Sequence, residues 1–332
     1  MVKNIFKKKK ILVAGGTGMV GQALIPILQD FGASIYVVSM DGKNLIPPGV
    51  KNFFRLDMID MKNCLKVTKN MDFVINLLGV TGSPNITYTN PGSFLMSNLY
   101  CAVNLLYAAQ KNKVKRYLYT STYGVYGESP LMKENAMWNS PPSAHDKYAG
   151  WAKRIGELQI EAYKKEFNFE GLYVIRPANI YGPHVNFNPK NSMVVASLIR
   201  RILNKENPLK VWGDGENIRD FIYSGDVAKS IVQVFQKNIQ EPINIGSGKG
   251  VKIKELVKKI INCNNVEFKP RIEFDKLKKS GDKKRVLDTR LARKYNIKNK
   301  TTLEEGLLKT VEWYKNNKTQ SLKNKYNYFK KN

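Results

Sequence analysis

Cysteine and histidine are scarce in this chain. Its 332 residues include three cysteines, Cys64, Cys101 and Cys263, and two histidines, His145 and His184. Three widely spaced thiols make no disulfide framework, and neither residue type shows metal-ligand spacing, so no metal site is expected. Cys101 stands in an apolar helical pattern and reads as a small core residue. Long apolar runs are also missing. No stretch approaches the roughly 18 residues of a membrane span. The apolar run after the basic N-terminus, Ile11–Ala14, is too short for the core of a signal peptide before Gly15 interrupts it. A cytoplasmic protein without membrane contact is expected. Acidic residues are few, 27 against 55 Lys plus Arg, for a formal net charge of +28. The excess is spread along the chain, with short clusters at Lys7–Lys10, Lys276–Lys279 and Lys283–Arg285 and a Lys/Asn-rich tail from Lys315. No nucleic-acid motif accompanies it. The charge therefore reads as a solvated basic surface that draws in a polyanionic small ligand rather than nucleic acid.

What is present is an alternation of strand and helix. Apolar residues are 42% of the chain, enough for a sizeable core. β runs are expected at Ile11–Ala14, Ser34–Val38, Phe53–Leu56, Phe73–Leu78, Tyr117–Thr120 and Leu172–Arg176. Helical spacing marks Val20–Asp30, with Pro26 inside it, and Phe94–Gln110 and Lys147–Phe167. This order implies an α/β fold with a Rossmann doubly wound parallel sheet. After Pro177 the segments shorten and Pro and Gly become frequent. Helices follow at Val227–Lys237, Lys254–Ile261 and Leu303–Tyr314, with a strand at Pro242–Ile245. The expected organisation is a dinucleotide-binding domain over residues 1–177, a smaller mixed substrate-binding portion over 178–315, and a polar tail over 316–332 that frays. Residues near 220–250 are expected to return to the first domain.

The firmest local signal is Gly15-Gly16-Thr17-Gly18-Met19-Val20-Gly21, between the first strand and the first helix. Its first glycine permits a tight turn, its second a close backbone approach to a pyrophosphate, and its third close helix–strand packing. The helix N-terminus adds free N–H donors and a positive dipole end. The end of the second strand selects the ribose. There stand Ser39, Met40, Asp41 and, just beyond, Lys43. Ser39 suits either nucleotide, an inward Asp41 disfavours a 2′-phosphate, and Lys43 favours one. NAD is the expected cofactor, with NADP open.

Seven motifs in order resemble the extended short-chain dehydrogenase/reductase family of nucleotide-sugar epimerases, dehydratases and 4-keto reductases. They are the glycine loop, Leu56-Asp57, Asn98-Leu99-Tyr100-Cys101-Ala102, and Tyr119-Thr120-Ser121-Thr122-Tyr123-Gly124-Val125-Tyr126-Gly127. Then come Arg176-Pro177-Ala178-Asn179-Ile180-Tyr181-Gly182-Pro183, and Trp212-Gly213-Asp214-Gly215 with Arg219-Asp220-Phe221-Ile222 and Asp226-Val227-Ala228. Asn244-Ile245-Gly246-Ser247-Gly248 closes the set. The resemblance implies a cofactor site of Gly15, Thr17, Gly18, Met19, Val20, Gly21, Ser39, Asp57 (at the adenine), Met58, Leu78, Gly79, Asn98, Lys153 and Pro177. It places Asn179 and Arg219 at a sugar nucleotide's diphosphate, where an arginine fork suits phosphate oxygens. Lys278-Lys279-Ser280-Gly281-Asp282-Lys283-Lys284-Arg285-Val286-Leu287-Asp288 is similar to a stretch of GDP-fucose synthases. That adds Lys279 and Arg285 to the substrate side and points to a GDP-sugar, although a Lys-rich surface loop matches equally by composition.

The resemblance also implies chemistry in carbohydrate biosynthesis by an oxidoreductase or isomerase: hydride transfer at a sugar ring carbon, with a Tyr, a Lys one turn on and a Ser or Thr sharing the reacting oxygen. Thr122 and Lys153, the latter in Lys153-Arg154-Ile155-Gly156-Glu157, match the last two. The Tyr position, four residues before Lys153, holds Ala149. Tyr148 is five residues away, which on a regular helix turns it about 140° from the Lys face. A shifted helix start that brings in Tyr148, Tyr123 beside Thr122, or His145 remain as substitutes for the relay. A chain that binds cofactor without turnover is the alternative. Tyr123 and Gly124 stand where the family's dehydratases carry Asp-Glu, so 4,6-dehydration is not expected. The family often dimerises through two helices, which here match Phe94–Gln110 and Lys147–Phe167, so a homodimer acting on a nucleotide sugar is expected.

Overall fold

The computed structural model describes residues 4–80, 87, 89–263, 266–278, 281–321 and 325–326. Its strands are β1 (Lys10–Ala14), β2 (Ser34–Val38), β3 (Asn52–Phe54), β4 (Phe73–Asn76), β5 (Arg116–Thr120), β6 (Leu172–Pro177), β7 (Asn179–Tyr181), β8 (Leu209–Trp212), β9 (Ile218–Tyr223), β10 (Ile243–Ile245), β11 (Gly250–Lys252), β12 (Ile272–Asp275) and β13 (Lys284–Arg285). The longer helices are α1 (Met19–Asp30), α2 (Met61–Thr68), α3 (Pro91–Lys111), α4 (Lys147–Phe167), α5 (Val194–Leu203), α6 (Ser224–Lys237), α7 (Ile253–Ile261) and, after the short α8 (Arg290–Lys294), α9 (Leu303–Asn316).

Seven parallel strands form the main sheet, in the order β10-β6-β5-β4-β1-β2-β3. The central strands are apolar along their length. Phe73 to Asn76 is buried at every position and so is Leu172 to Pro177, as a sheet covered on both faces requires. One face carries α1 and α6 over Leu24, Val37, Ile75, Ile175 and Phe235. The other carries α2, α3 and α4 over Val38, Cys64, Val74, Leu105, Tyr119 and Ile160. Cys64 and Cys101 lie in this second layer, and burial pushes both thiols up to about 12, so they are packing residues. Pro26 sits inside α1, which runs through it.

A second core lies under the C-terminal segments, built from Val195, Leu198 and Ile199 of α5, Leu256 and Ile260 of α7, and Leu307 and Val311 of α9. Here β9 pairs with β7, β11 and β13, and β12 pairs with β8. Residues after Pro177 also return to the main sheet through α6 and β10. After α9, Lys318–Ser321 adds one helical turn. Most of the remaining tail lies outside the described residues. No described helix is long and apolar enough to cross a membrane.

Strand order places the site. The chain runs outward from β1 through β2 to β3, then crosses to β4 on the other flank of β1. In such a sheet the carboxyl ends of the two strands at this reversal open a crevice for ligand. The turn after β1 is the glycine loop, and the turn after β4 begins at Leu77.

Candidate active site

The glycine loop has the geometry of a pyrophosphate cradle. Gly15 has φ +82°, a conformation that favours glycine. A Cβ on Gly21 would stand 2.4 Å from the Gly16 carbonyl oxygen and 2.5 Å from its Cα. No backbone tolerates that approach, so α1 sits against the loop only because this position lacks a side chain. The first turn of α1 carries no acidic residue, which leaves its positive end for an anion. Gly21→Ala gains up to about 1 kcal/mol of helix propensity, but the clash costs about 1–3 kcal/mol. The variant is expected to lose stability in urea melts and to bind NAD weakly; unchanged melts and affinity would contradict the packing role of Gly21.

Thr17 joins the loop to the ribose end. Its hydroxyl lies 2.7 Å from Ser39 Oγ and 2.7 Å from Asp41 Oδ2, and the Asp41 N–H donates to Ser39 Oγ. Asp41 therefore turns inward over the loop. Lys43 belongs to a short 3-10 turn whose residues are not buried. Asp57 Oδ1 accepts the Ile59 N–H in the turn after β3, and Met58 is buried beside it. On the other flank Asn98, buried on α3, pins the turn after β4. Its Oδ1 accepts the Val80 N–H and its Nδ2 donates to the Val80 and Phe94 carbonyls. Gly79 lies beside Asn98 and Lys153, since a Cβ there would be 3.8 Å from both Asn98 Oδ1 and Lys153 Nζ. Pro177 is buried at the end of β6. These residues fit a nicotinamide dinucleotide: a glycine cradle at an open helix N-terminus and a carboxylate, Asp41, bonded to the loop.

Lys153 stands on α4 with its Nζ donating to the Leu78 carbonyl at 3.0 Å and the Thr120 carbonyl at 2.9 Å. It thus spans the ends of β4 and β5, 4.9 Å above the Tyr119 ring. Burial presses its ammonium down to about 8. Thr122 follows β5, and its Oγ accepts the Gly124 N–H. Gly150 fixes the start of α4 against this turn, since a Cβ there would meet the Gly124 carbonyl at 2.5 Å. α4 is regular from Lys147, so no shift brings Tyr148 round to Lys153. The Tyr148 ring is 39% exposed, under the Lys147 ammonium. Tyr123 is engaged elsewhere: its hydroxyl donates to Asn179 Oδ1 at 2.8 Å, and burial raises its pKa. Ala149, half-buried, is the residue one turn before Lys153.

Across the crevice lies an arginine wall. Arg285 is buried, paired to Asp146, 3.4 Å from Asp282, and 4.5 Å above the Tyr123 ring. Arg219 donates to the Asp282 carbonyl, and Asn179 Nδ2 donates to the Asp220 carbonyl. Gly281 has φ +81°, and a Cβ there would touch Arg219 Nη2 at 3.1 Å and the His145 ring at 3.6 Å. His145 therefore faces the arginine wall. Lys279 lies outside the described residues. The Asp282 carboxylate oxygens, buried, have no hydrogen-bond partner among the described residues.

The sequence model of the NAD dependent epimerase/dehydratase family matches residues 11–246. The chain belongs to this family. The GDP-L-fucose synthase of Escherichia coli is 28% identical over 329 residues, covering 93% of this chain and 98% of its own. The GDP-L-fucose synthase 1 of Arabidopsis thaliana is 28% identical over 322 residues, covering 94% of each. The UDP-glucose 4-epimerase of Thermotoga maritima, solved with UDP-glucose, superposes with a TM-score of 0.80 at 26% identity, covering 92% of this chain and 99% of its own.

In this NAD-dependent family member several motif residues hold the fold around the crevice. Arg176 and Glu157 form a buried pair at 2.6 Å, and Glu157 also accepts the Ser121 hydroxyl. Asp220 accepts N–H groups of Ser247 and Gly248, tying β9 to the Asn244–Gly248 motif. Asp226 accepts the Thr301 N–H. Sequence reasoning missed Asp146 and Asp282, the two carboxylates beside Arg285. Asp282 lies three residues before Arg285, a local signal, and Asp146 precedes α4 at its N-cap position. The pairing of Asp146 with a residue 139 positions away leaves none.

Proposed function

We propose that the chain is an NAD(P)-dependent GDP-sugar epimerase or reductase, working by reversible hydride transfer at a ring carbon. The observation that carries this is the position of Lys153 at the ends of β4 and β5, with the glycine loop on one side and Arg219, Arg285 and Asn179 on the other. A sugar nucleotide held by its diphosphate on the arginine side would bring its sugar to a nicotinamide beside that ammonium. The GDP preference is supported by the names of the relatives and by the Lys278–Asp288 stretch, whose Arg285 is built into the wall.

When bound, the nicotinamide ring takes up or returns the hydride. Thr122, whose oxygen accepts the Gly124 N–H, holds the reacting sugar oxygen by a hydrogen bond, and with no phenol at Ala149 the proton leaving or returning to that oxygen is exchanged with water. Lys153 stabilises negative charge on that oxygen. Ala149 contributes a methyl where a phenol would relay the proton. A positioned general base is worth about 10²–10⁴-fold, so turnover is expected to be slow and Ala149→Tyr to raise it. The test is incubation with NAD(P) and a panel of GDP-, UDP- and dTDP-linked sugars and their keto intermediates, read by nicotinamide absorbance and product analysis. Turnover of GDP-sugars supports the proposal. Cofactor binding with no turnover of any, in wild type and Ala149→Tyr alike, rejects it in favour of a non-catalytic binding protein.

The active form is a homodimer. α3 and α4 pack side by side and expose Met96, Tyr100 and Tyr107 on one and Trp151, Ile155 and Leu158 on the other. An apolar stripe of this spacing on paired helices calls for a second copy. Leu158→Asp is expected to convert the dimer to a monomer in light scattering; a monomeric wild type would sink the reading.

A further inference from the structure

The tail beyond α9 was expected to fray, yet two of its residues sit on the ribose end of the cofactor crevice. Lys325 Nζ donates to the Thr17 carbonyl at 2.8 Å and lies 3.4 Å from Asp41 Oδ2. The Tyr326 N–H donates to Asp41 Oδ1 at 2.7 Å. The Lys325 and Asp41 side chains are only 21% and 13% exposed. Lys325 also closes a cavity of about 200 Å³ walled by Gln22 and Leu45 from the cofactor side and His184 and Trp313 from the C-terminal portion. The contact thus bridges the two halves of the molecule.

The position of Asp41 gives this contact a consequence. Thr17 belongs to the glycine loop, and its hydroxyl already donates to Asp41 Oδ2. A carboxylate offers about four lone-pair sites. Thr17, Lys325 and Tyr326 take three of them. A ribose diol brings two O–H donors to the carboxylate at the end of the second strand, so diol and tail cannot both be served. The Lys325 ammonium also answers the charge that would repel a 2′-phosphate.

We propose that Lys325 and Tyr326 act as a strap that competes with the cofactor's adenosine ribose for Asp41 and weakens the preference for NAD over NADP. With the strap docked, Asp41 is occupied and its charge compensated. With the strap released, Asp41 is a bare carboxylate that accepts the diol and repels the extra phosphate. The inference rests on dinucleotide binding at the glycine loop and adds a competitor to it.

Two variants test it: Lys325→Glu in the full chain, which sets like charges against each other, and a chain ended after Asn317. Among the described residues the three apolar cores reach no further than Tyr314, so the shortened chain keeps all of these. Dissociation constants for NAD and NADP are measured by calorimetry on each protein. Both variants are expected to bind NAD about tenfold more tightly than wild type, the factor for a competing state populated about nine-tenths of the time. NADP is expected to gain less or to weaken. Adding Asp41→Asn to the shortened chain is expected to cancel the gain. In the wild type, NAD is expected to speed exchange of the Tyr326 amide. Equal NAD affinity in all chains, or weaker binding without the tail, overturns the strap while leaving the cofactor reading intact. No binding of either nucleotide by any chain overturns both.

Discussion

Lys153→Met is expected to reduce GDP-sugar turnover by about 10²–10³-fold with the fold retained, the range for losing a positioned donor that stabilises charge on the reacting oxygen. The side chains are close in length, so the change removes charge and hydrogen bonds rather than volume. The lost bonds go to the Leu78 and Thr120 carbonyls, which line the crevice and can turn to water. Because burial holds the ammonium down to about 8, it is protonated at neutral pH and loses its proton well below the usual lysine range. kcat/KM, which reports the free enzyme, is therefore expected to fall as pH rises through about 8. Steady-state kinetics from pH 6 to 10, beside circular dichroism of the variant, check both points. A flat alkaline limb, or a Lys153→Met enzyme within threefold of wild type, would remove Lys153 from the chemistry.

Glu157→Ala is expected to cost about 3–5 kcal/mol of folding stability, the price of leaving a buried charge without its partner. Arg176 donates to Glu157 through Nε and Nη2, with the Tyr126 hydroxyl and the Glu134 carbonyl on Nη1. Both ionic side chains are nearly inaccessible, 3% and 4% exposed. Burial opposes the Arg176 charge, but Glu157 and Tyr126 outweigh it and hold the guanidinium above its ordinary range. Glu157 also accepts the Ser121 hydroxyl, so the variant loosens the turn that presents Thr122. The double variant Glu157→Met, Arg176→Met is expected to recover part of the stability, since no lone charge remains. Urea denaturation of the two proteins decides this; a single variant within 1 kcal/mol of wild type would show that water reaches Arg176.

The Rossmann half was legible because its elements are long and carry one period each. Lys147–Phe167 and Ser34–Val38 fall on their expected bounds, and Pro91–Lys111 extends the expected Phe94–Gln110 by about one turn. α2 was missed because its eight residues bury only Cys64, Val67 and Thr68 among lysines. α5 was missed although it buries Val195, Leu198, Ile199 and Ile202. β7, β11 and β13 are two or three residues long, too short for any period to show.

The same division holds at the site. The sequence by itself determined the strand–glycine loop–helix unit, the absence of a tyrosine at Ala149 and the family order of motifs, because each depends on residues close in the chain. A helix turns by a fixed angle per residue, so a regular helix already turned Tyr148 from Lys153, and the structure removed the shifted start that stood as the alternative. Only the tertiary structure decided that Asp146 pairs with Arg285, that Tyr123 is held by Asn179, and that Lys325 lies on Asp41. Those partners are 139, 56 and 284 positions apart. Pairings over such distances follow from how the sheet and the C-terminal segments close on each other, which no local period records.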